Sequence, residues 1–287
     1  MPELPEVEVV KKSLENKLKN LWIKRVNINN NKLRYKIDSK QFSKIKNQKI
    51  ISIHRRSKYL LINLSKNFTI LVHLGMTGKF FIIDNKKKYK TSFYYSLKKN
   101  DTKHNHLTIV FNNKIKLIYN DVRKFGFIKI YSSKDILNCK HLAPLGPEPL
   151  SDNFNLSYFK KFILNKKIKI KDLLMDQKFV SGLGNIYCNE VLFLCKINPT
   201  RGVKKINQSE IKKIIKFIQT VLKQAILLGG SSIKNFSSTE GQAGNFQQKF
   251  NVYGRDKTSC NRSKCLGTIE KVYTSNRSSF FCPKCQK

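Results

Sequence analysis

The chain has 287 residues, with 57 Lys and Arg against 18 Asp and Glu, for a formal net charge of +39 and a pI near 10.1. That length holds two domains with cores of their own, and that charge points to a polyanionic partner, either nucleic acid or an acidic membrane surface. No apolar run reaches the ~18 residues that suggest a membrane span, and the acidic N-terminus is the reverse of a signal-peptide start, so a soluble, intracellular protein is expected.

The stretch Met1-Pro2-Glu3-Leu4-Pro5-Glu6-Val7-Glu8-Val9-Val10 carries three glutamates and no lysine or arginine. A methionine before a small residue is commonly removed, which would leave Pro2 with a free secondary amine. An α-amino group titrates near ~8 and a lysine near ~10.4, so the terminal amine has the larger nucleophilic fraction at neutral pH. Attack by a secondary amine on a sugar C1′ gives an iminium that keeps its positive charge and acts as an electron sink. Pro5 suits a first helical turn, and Val7, Val10, Leu14 and Leu18 recur at helical spacing. Glu3 and Glu6 then sit at a helix N-terminus, where the dipole favours negative charge. The plainer reading is that these glutamates only decorate a helix start.

From Trp22 to Ser133 the pattern is of short strands. Ile50-Ile53, Tyr59-Leu64, Thr69-His73, Lys79-Ile83, Leu107-Phe111, Ile115-Tyr119 and Phe127-Tyr131 are the clearest, with Asn112-Asn113 as a hairpin turn. A two-layer β-sandwich or flattened barrel fits them. Lys86-Lys87-Lys88 and Lys98-Lys99-Asn100 read as solvated loops. The stiff Pro144-Leu145-Gly146-Pro147-Glu148-Pro149 marks a connector over residues 134–150, between a first domain at 1–133 and a helical one at 151–250. Helices are expected over Tyr158-Leu164, Ile170-Met175, Ile186-Cys195 and Ser209-Leu228, the last stopped by Gly229-Gly230. Val180-Ser181-Gly182-Leu183-Gly184-Asn185 makes two tight turns with an asparagine at a helix N-cap, a ready phosphate seat.

Residues 251–287 contain Cys260-x4-Cys265-x16-Cys282-x2-Cys285. Two close cysteine pairs around a hairpin-sized spacer match a closed, structural, tetrahedral zinc site. Asn276-Arg277-Ser278 falls where that hairpin would turn. Arg277 is then either an ordinary exposed arginine or a side chain that a metal-stapled arm delivers into nucleic acid. Cys139, Cys188 and Cys195 read as packed thiols.

Together these features resemble one family, the bacterial formamidopyrimidine-DNA glycosylases, over nearly the full length. The motifs are Met1 to Glu8, Arg55-Arg56-Ser57-Lys58-Tyr59-Leu60, His73-Leu74-Gly75-Met76-Thr77-Gly78, Asp121-Val122-Arg123-Lys124-Phe125-Gly126, Leu145-Gly146-Pro147-Glu148-Pro149-Leu150, Gly182-Leu183-Gly184-Asn185-Ile186-Tyr187 and the terminal finger. The resemblance implies an α+β protein: an N-terminal two-layer β-sandwich with flanking helices, then a helical helix-two-turn-helix domain with a zinc-finger β-hairpin. It implies a monomer with one structural zinc, acting in the cytoplasm at the nucleoid on damaged double-stranded DNA laid between the two domains. The activity implied is base-excision repair: removal of 8-oxoguanine and formamidopyrimidines, then β,δ-elimination at the abasic site.

The same resemblance assigns roles. Pro2 would be the Schiff-base nucleophile, Glu3 the proton donor and shuttle, and Glu6 a support for the opened deoxyribose. Lys58 would contact phosphate and donate a proton in β-elimination, and Arg277 would grip the flanking phosphates and serve δ-elimination. His104, Arg123, Lys166, Lys171 and Asn185 would contact DNA, the last two through its backbone. Met76, Arg123 and Phe125 would fill the hole left by an everted nucleotide, although a large apolar side chain more often belongs to a core. His73 reads as a structural hydrogen-bonder. Residues 231–248 resemble a loop that caps the everted base. The first finger arm is Cys-x4-Cys where the family usually has Cys-x2-Cys, so a looser knuckle is expected. The stretch 240–246 lacks a proline often found there, which bears on base specificity. A sister glycosylase for oxidised pyrimidines is disfavoured by Leu4, where that branch usually has glycine. A non-enzymatic zinc-finger DNA binder has no need of the Pro2-Glu3-Glu6 start.

Overall fold

Pro5 in the first turn and apolar residues on one face produce helix α1, Leu4–Leu18, in a computed structural model that describes residues 1–84, 87–92, 102–231 and 246–287. Its buried residues include Leu4, Val7, Val10, Leu14 and Leu18, so the expected stripe is the one that packs. Strand β1 (Ile23–Ile28), the short helix α2 (Ser39–Ser43) and strands β2 (Ile50–Arg56), β3 (Tyr59–Leu64), β4 (Phe68–His73) and β5 (Lys79–Asp84) follow. Then come β6 (Lys87–Lys90), β7 (Asn105–Phe111), β8 (Lys116–Asn120) and β9 (Phe127–Ser132). Their antiparallel pairings give one sheet in the order β1-β7-β8-β5-β6 and a second in the order β2-β3-β4-β9. One core joins α1 to both sheets, through Val10 and Leu14, Ile62 and Val72, and Ile82 and Ile109. The expected sandwich is therefore present.

Lys87 and Lys88 lie in β6 rather than in a loop, and the Lys88 ammonium stands 4.0 Å from the Phe81 ring. Lys86 and residues 98–100 lie outside the described residues. At the β7–β8 turn the left-handed residue is Lys114, with φ +68°, not either asparagine. Asn113 instead uses its side-chain oxygen to accept the Ile115 N–H.

The chain forms two compact units, Met1–Ala143 with Leu228–Asn245, and Pro144–Leu227 with Phe246–Lys287. The boundary between the units falls within the stretch 134–150, and each half of that stretch packs in its own unit. Ile136 and Leu142 are buried in the first, and the His141 ring lies 4.5 Å from that of Phe127. In the second, Gly146 N–H donates to the Gln177 carbonyl and Ser181 N–H to that of Pro147.

The second unit contains α3 (Leu156–Ile163), α4 (Ile170–Met175), α5 (Asn185–Cys195), α6 (Gln208–Leu227) and the hairpin β10–β11 (Glu270–Thr274, Arg277–Phe281). Asn155 caps α3 by accepting the Tyr158 N–H at 2.9 Å. Gly184, not Asn185, is the N-cap of α5, because the Asn185 amide is turned to the Ser278 carbonyl at 3.0 Å. The finger does not stand apart: Phe193 of α5 shares a core with Val252, Cys260, Ile269, Phe280 and Cys282.

Candidate active site and metal centre

Glu3 and Glu6 are each 3 % exposed at the mouth of α1, where the Glu3 N–H donates to Glu6 Oε2 at 2.9 Å as part of a capping box. The other Glu6 oxygen accepts the Ser231 N–H at 2.7 Å and its hydroxyl at 2.9 Å. Glu6, expected at the sugar, thus already holds the end of the segment that follows α6. Gly230 makes this approach possible: its φ is +82°, and a Cβ there would lie 3.0 Å from Glu6 Oε1. Beyond Ser231, residues 232–245 of the expected capping loop lie outside the described residues.

Met1 is 42 % exposed, whereas Pro2 to Val7 are buried. Burial lowers the pKa of the terminal ammonium; Glu3 and Glu6 oppose that shift, while Lys58 and Arg123 add to it. The amine, both carboxylates, Lys58 and Arg123 therefore share one electrostatic neighbourhood.

Lys58, 7 % exposed, occupies the two-residue turn between β2 and β3, preceded by Ser57 with φ +57°. Arg55 fixes that turn, donating to the Ser57 carbonyl at 2.9 Å while its Nε pairs with Glu8 Oε2 at 2.7 Å. Glu8 is a positioning residue that sequence reasoning leaves as helix decoration. The Arg-rich strand beside an acidic helix is the available signal.

The loops after β4 and β8 are tied together through Asp121, which is fully buried. Its Oδ1 accepts the Thr77 hydroxyl at 2.5 Å and its Oδ2 the Gly126 N–H at 2.8 Å, and Thr77 Oγ1 in turn accepts the Arg123 N–H at 3.0 Å. Met76 is 40 % and Phe125 46 % exposed, which excludes the core reading. The Arg123 guanidinium lies 4.7 Å from the Phe125 ring, a cation–π contact between the two exposed side chains. His104 contributes its carbonyl to the Asp121 N–H at 3.1 Å. His73 accepts the Gly75 N–H on Nδ1, and burial is the main cause that lowers its pKa to about 4, so it is a neutral structural group. A large basic groove lined by Lys24, Arg25, Lys46, Lys114 and Lys116 lies at the far end of β8 and shares no residue with this site.

In the second unit, Arg277 follows a turn whose two central residues, Ser275 and Asn276, have φ of +48° and +60°, and its side chain is exposed. Lys166 is exposed as well. Lys171 is not: it is 1 % exposed and donates to the Ser278 carbonyl at 2.8 Å and to Ser279 Oγ at 2.7 Å. Lys171 and Asn185 thus converge on the backbone next to Arg277. Lys171 makes a clamp on the hairpin.

Cys260, Cys265, Cys282 and Cys285 place their sulfurs within 4.8 Å of one another, with pairs at 3.9 Å and 3.7 Å. Bonds of ~2.3 Å in a tetrahedron put sulfurs about 3.8 Å apart, so the four fit a single metal ion. Gly267 leaves the space: a Cβ there would lie 2.6 Å from Cys282 Sγ. The longer knuckle is not loose. Arg262, within it, donates through Nη2 to the Phe193 carbonyl at 2.5 Å.

Comparison with known proteins agrees with this architecture. The family model described as formamidopyrimidine-DNA glycosylase N-terminal domain matches residues 1–128, and that described as formamidopyrimidine-DNA glycosylase H2TH domain matches residues 145–237. A protein of Rickettsia bellii (strain OSU 85-389) named formamidopyrimidine-DNA glycosylase is 42% identical over 287 residues, covering 100% of both chains. One of the same name from Ruegeria sp. (strain TM1040) is 37% identical, also over 100% of both. The Lactococcus lactis Fpg solved with abasic-site DNA superposes with a TM-score of 0.85 at 33% identity, covering 99% of each chain. A point mutant of the Lactococcus lactis protein, solved with Fapy-dG DNA, gives the same score and identity over 100% of each chain. Similarity of this extent along the whole length establishes that the chain belongs to the formamidopyrimidine-DNA glycosylase family.

Proposed function

We propose that this protein is a base-excision repair enzyme that removes oxidised purines from duplex DNA and then cuts the abasic strand. The observation that carries it is the neighbourhood that the Met1 amine, one residue before the buried Pro2, shares with Glu3, Glu6, Lys58 and Arg123. A DNA binder has no use for buried carboxylates around its own N-terminus.

With Met1 removed, the Pro2 nitrogen attacks C1′ of the damaged nucleoside. The N–C1′ bond forms, the glycosidic bond breaks, and the base leaves with a proton. Glu3 supplies and shuttles protons at the sugar: the C1′–O4′ bond breaks, O4′ takes a proton, and the resulting ring-opened iminium draws electrons from C2′. Loss of the C2′ proton expels the 3′ phosphate, with Lys58 as proton donor, and a second elimination expels the 5′ phosphate with Arg277 at the flanking phosphates. Glu6 supports the opened sugar from the position it holds against Ser231. Met76 and Phe125, exposed on two tied loops, replace the stacking lost when the nucleotide is everted, which offsets a cost of a few kcal/mol. Arg123 addresses the base left unpaired, and His104, Lys166 and Asn185 complete the DNA contacts. Zinc is the metal assigned to the four cysteines, because an all-thiolate tetrahedral site is closed and structural.

The test is borohydride reduction on a duplex containing 8-oxoguanine, with the adduct mapped by mass spectrometry. A covalent adduct on a peptide beginning at Pro2 is expected. If processed protein never nicks or traps the duplex while Pro2→Gly binds it normally, the reading is lost. The Lactococcus lactis enzyme has also been solved with DNA containing an oxidised pyrimidine. Excision of thymine glycol should therefore be compared, and is expected to be slower.

A further inference from the structure

The Cys-x4-Cys arm carries more than a metal. Arg262 lies within it, between Cys260 and Cys265, and packs on Phe193. Its guanidinium donates to the Phe193 carbonyl at 2.5 Å in the last turn of α5 and stands 4.6 Å from the Phe193 ring. A cation there complements the negative end of the helix dipole, and the ring adds a cation–π contact. The Arg262 Nε–H is buried with no hydrogen-bond partner. A buried donor left unmade costs about 1–3 kcal/mol, and a metal-bound thiolate is a far better acceptor than a thiol.

We propose that Arg262 is a positioning residue of the finger: it locks the first arm, which carries Cys260 and Cys265, to the C-terminal end of α5, and so holds the β10–β11 hairpin, with Arg277 at its turn, in fixed register. The Cys-x4-Cys arm supplies this clamp through Arg262. The hairpin is then fastened from two directions, by Arg262 at the metal end and by Lys171 and Asn185 at the turn.

The consequence for Arg277 rests on the function proposed above, but the clamp itself can be read without DNA. The experiment takes the full-length protein loaded with zinc and compares wild type with Arg262→Ala and Arg262→Lys. Zinc release to a chromogenic chelator is expected to be on the order of tenfold faster in Arg262→Ala, in line with other changes to groups that support metal ligands. Arg262→Lys should fall between, since it keeps the charge but loses the planar fork. Amide exchange across residues 261–266 should rise on the order of tenfold in the same variant, as local opening becomes easier. On abasic-site duplex, Arg262→Ala should raise KM while leaving the single-turnover trapping rate at the N-terminus within about twofold, as expected when positioning rather than chemistry is lost.

Zinc release and amide exchange both within twofold of wild type in Arg262→Ala would overturn the proposal. If Arg262→Ala does not fold, Arg262→Lys decides: faster release and exchange support the clamp, and wild-type values overturn it. If the protein takes up no zinc, the metal assignment fails separately and amide exchange still decides. If it binds zinc but never traps DNA, the functional reading fails while the release rates still report on Arg262.

Discussion

The Lys171 ammonium, 1 % exposed, is held by the Ser278 carbonyl at 2.8 Å and by Ser279 Oγ at 2.7 Å. Removing the charge while keeping the stem, as in Lys171→Met, leaves both acceptors without that donor. The variant should lose about 2 kcal/mol of stability in urea denaturation, in the range for hydrogen bonds to charged groups. Charge is visible in sequence and burial is not, so the hold of Lys171 on the hairpin is not legible there. His73 shows the opposite case, since its structural role is legible from the turn it precedes. Burial, with Lys58, Arg34 and His141 nearby, lowers its pKa from 6.5 to about 4, so the fold holds the neutral imidazole. A depressed folded pKa gives stability that is complete above pH 6.5 and is lost as pH falls towards 4, worth about 3 kcal/mol. His73→Phe should cost about 1 kcal/mol at pH 7, through the lost acceptor for Gly75 N–H, but show a shallower loss between pH 6.5 and 4. Denaturation midpoints across that pH range measure both effects.

Among the elements, those with a strong period in an uninterrupted run are the legible ones. Tyr59–Leu64 and Ile170–Met175 have the bounds expected of them, and α1, α5 and α6 start and stop within a residue or two of expectation. Strand β1 is foreseen only as part of the β region that begins at Trp22, without bounds of its own, and helix α2 is not foreseen. Ile-Lys-Arg-Val-Asn-Ile has only three apolar residues, and its pairing with β7 is interrupted by an irregularity between Ile23 and Arg25. Helix α2 is five residues long and depends on Asp38 accepting the Lys40 N–H, a cap too local for any periodicity to reveal. Tertiary carboxylates are equally hidden. On α5, Glu190 accepts four hydrogen bonds, from Asn251 N–H and its side-chain amide, Val252 N–H and Tyr253 N–H. It anchors the chain just after the stretch that Glu6 anchors at Ser231. Glu190→Gln turns an amide NH2 towards two of these donors and should lower stability by about 2–3 kcal/mol, seen as an earlier unfolding midpoint. Gly230→Ala tests the other anchor. It forces a Cβ into the left-handed region and against Glu6, so a loss of about 1–2 kcal/mol is expected together with slower base excision.

At the scale of the whole molecule, a net charge of +39 does not say how many cations meet DNA. Part of it follows from a composition rich in Lys, Asn and Ile, and the basic groove at the far end of β8 shares no residue with the proposed active site. Counterion release separates the contributing cations from the rest. Each phosphate neutralised adds about −0.9 to the slope of log K against log salt, irrespective of sequence. Lys166 is exposed and Arg277 is exposed beside a rigid turn, so Lys166→Ala and Arg277→Ala should each make the slope shallower by about 0.9. Lys171→Met should leave it unchanged, because that ammonium faces Ser278 and Ser279 rather than solvent. Lys116→Ala, in the groove, should also leave it unchanged. The measurement is fluorescence anisotropy of an abasic-analogue duplex from low to moderate salt, at fixed temperature and pH. A slope that shifts equally for all four variants would mean that the charge acts as a diffuse cloud, and the assignment of particular side chains to particular phosphates would fall. A slope that moves for Lys166 and Arg277 alone ties affinity to the two elements that carry them: the end of α3 and the clamped hairpin.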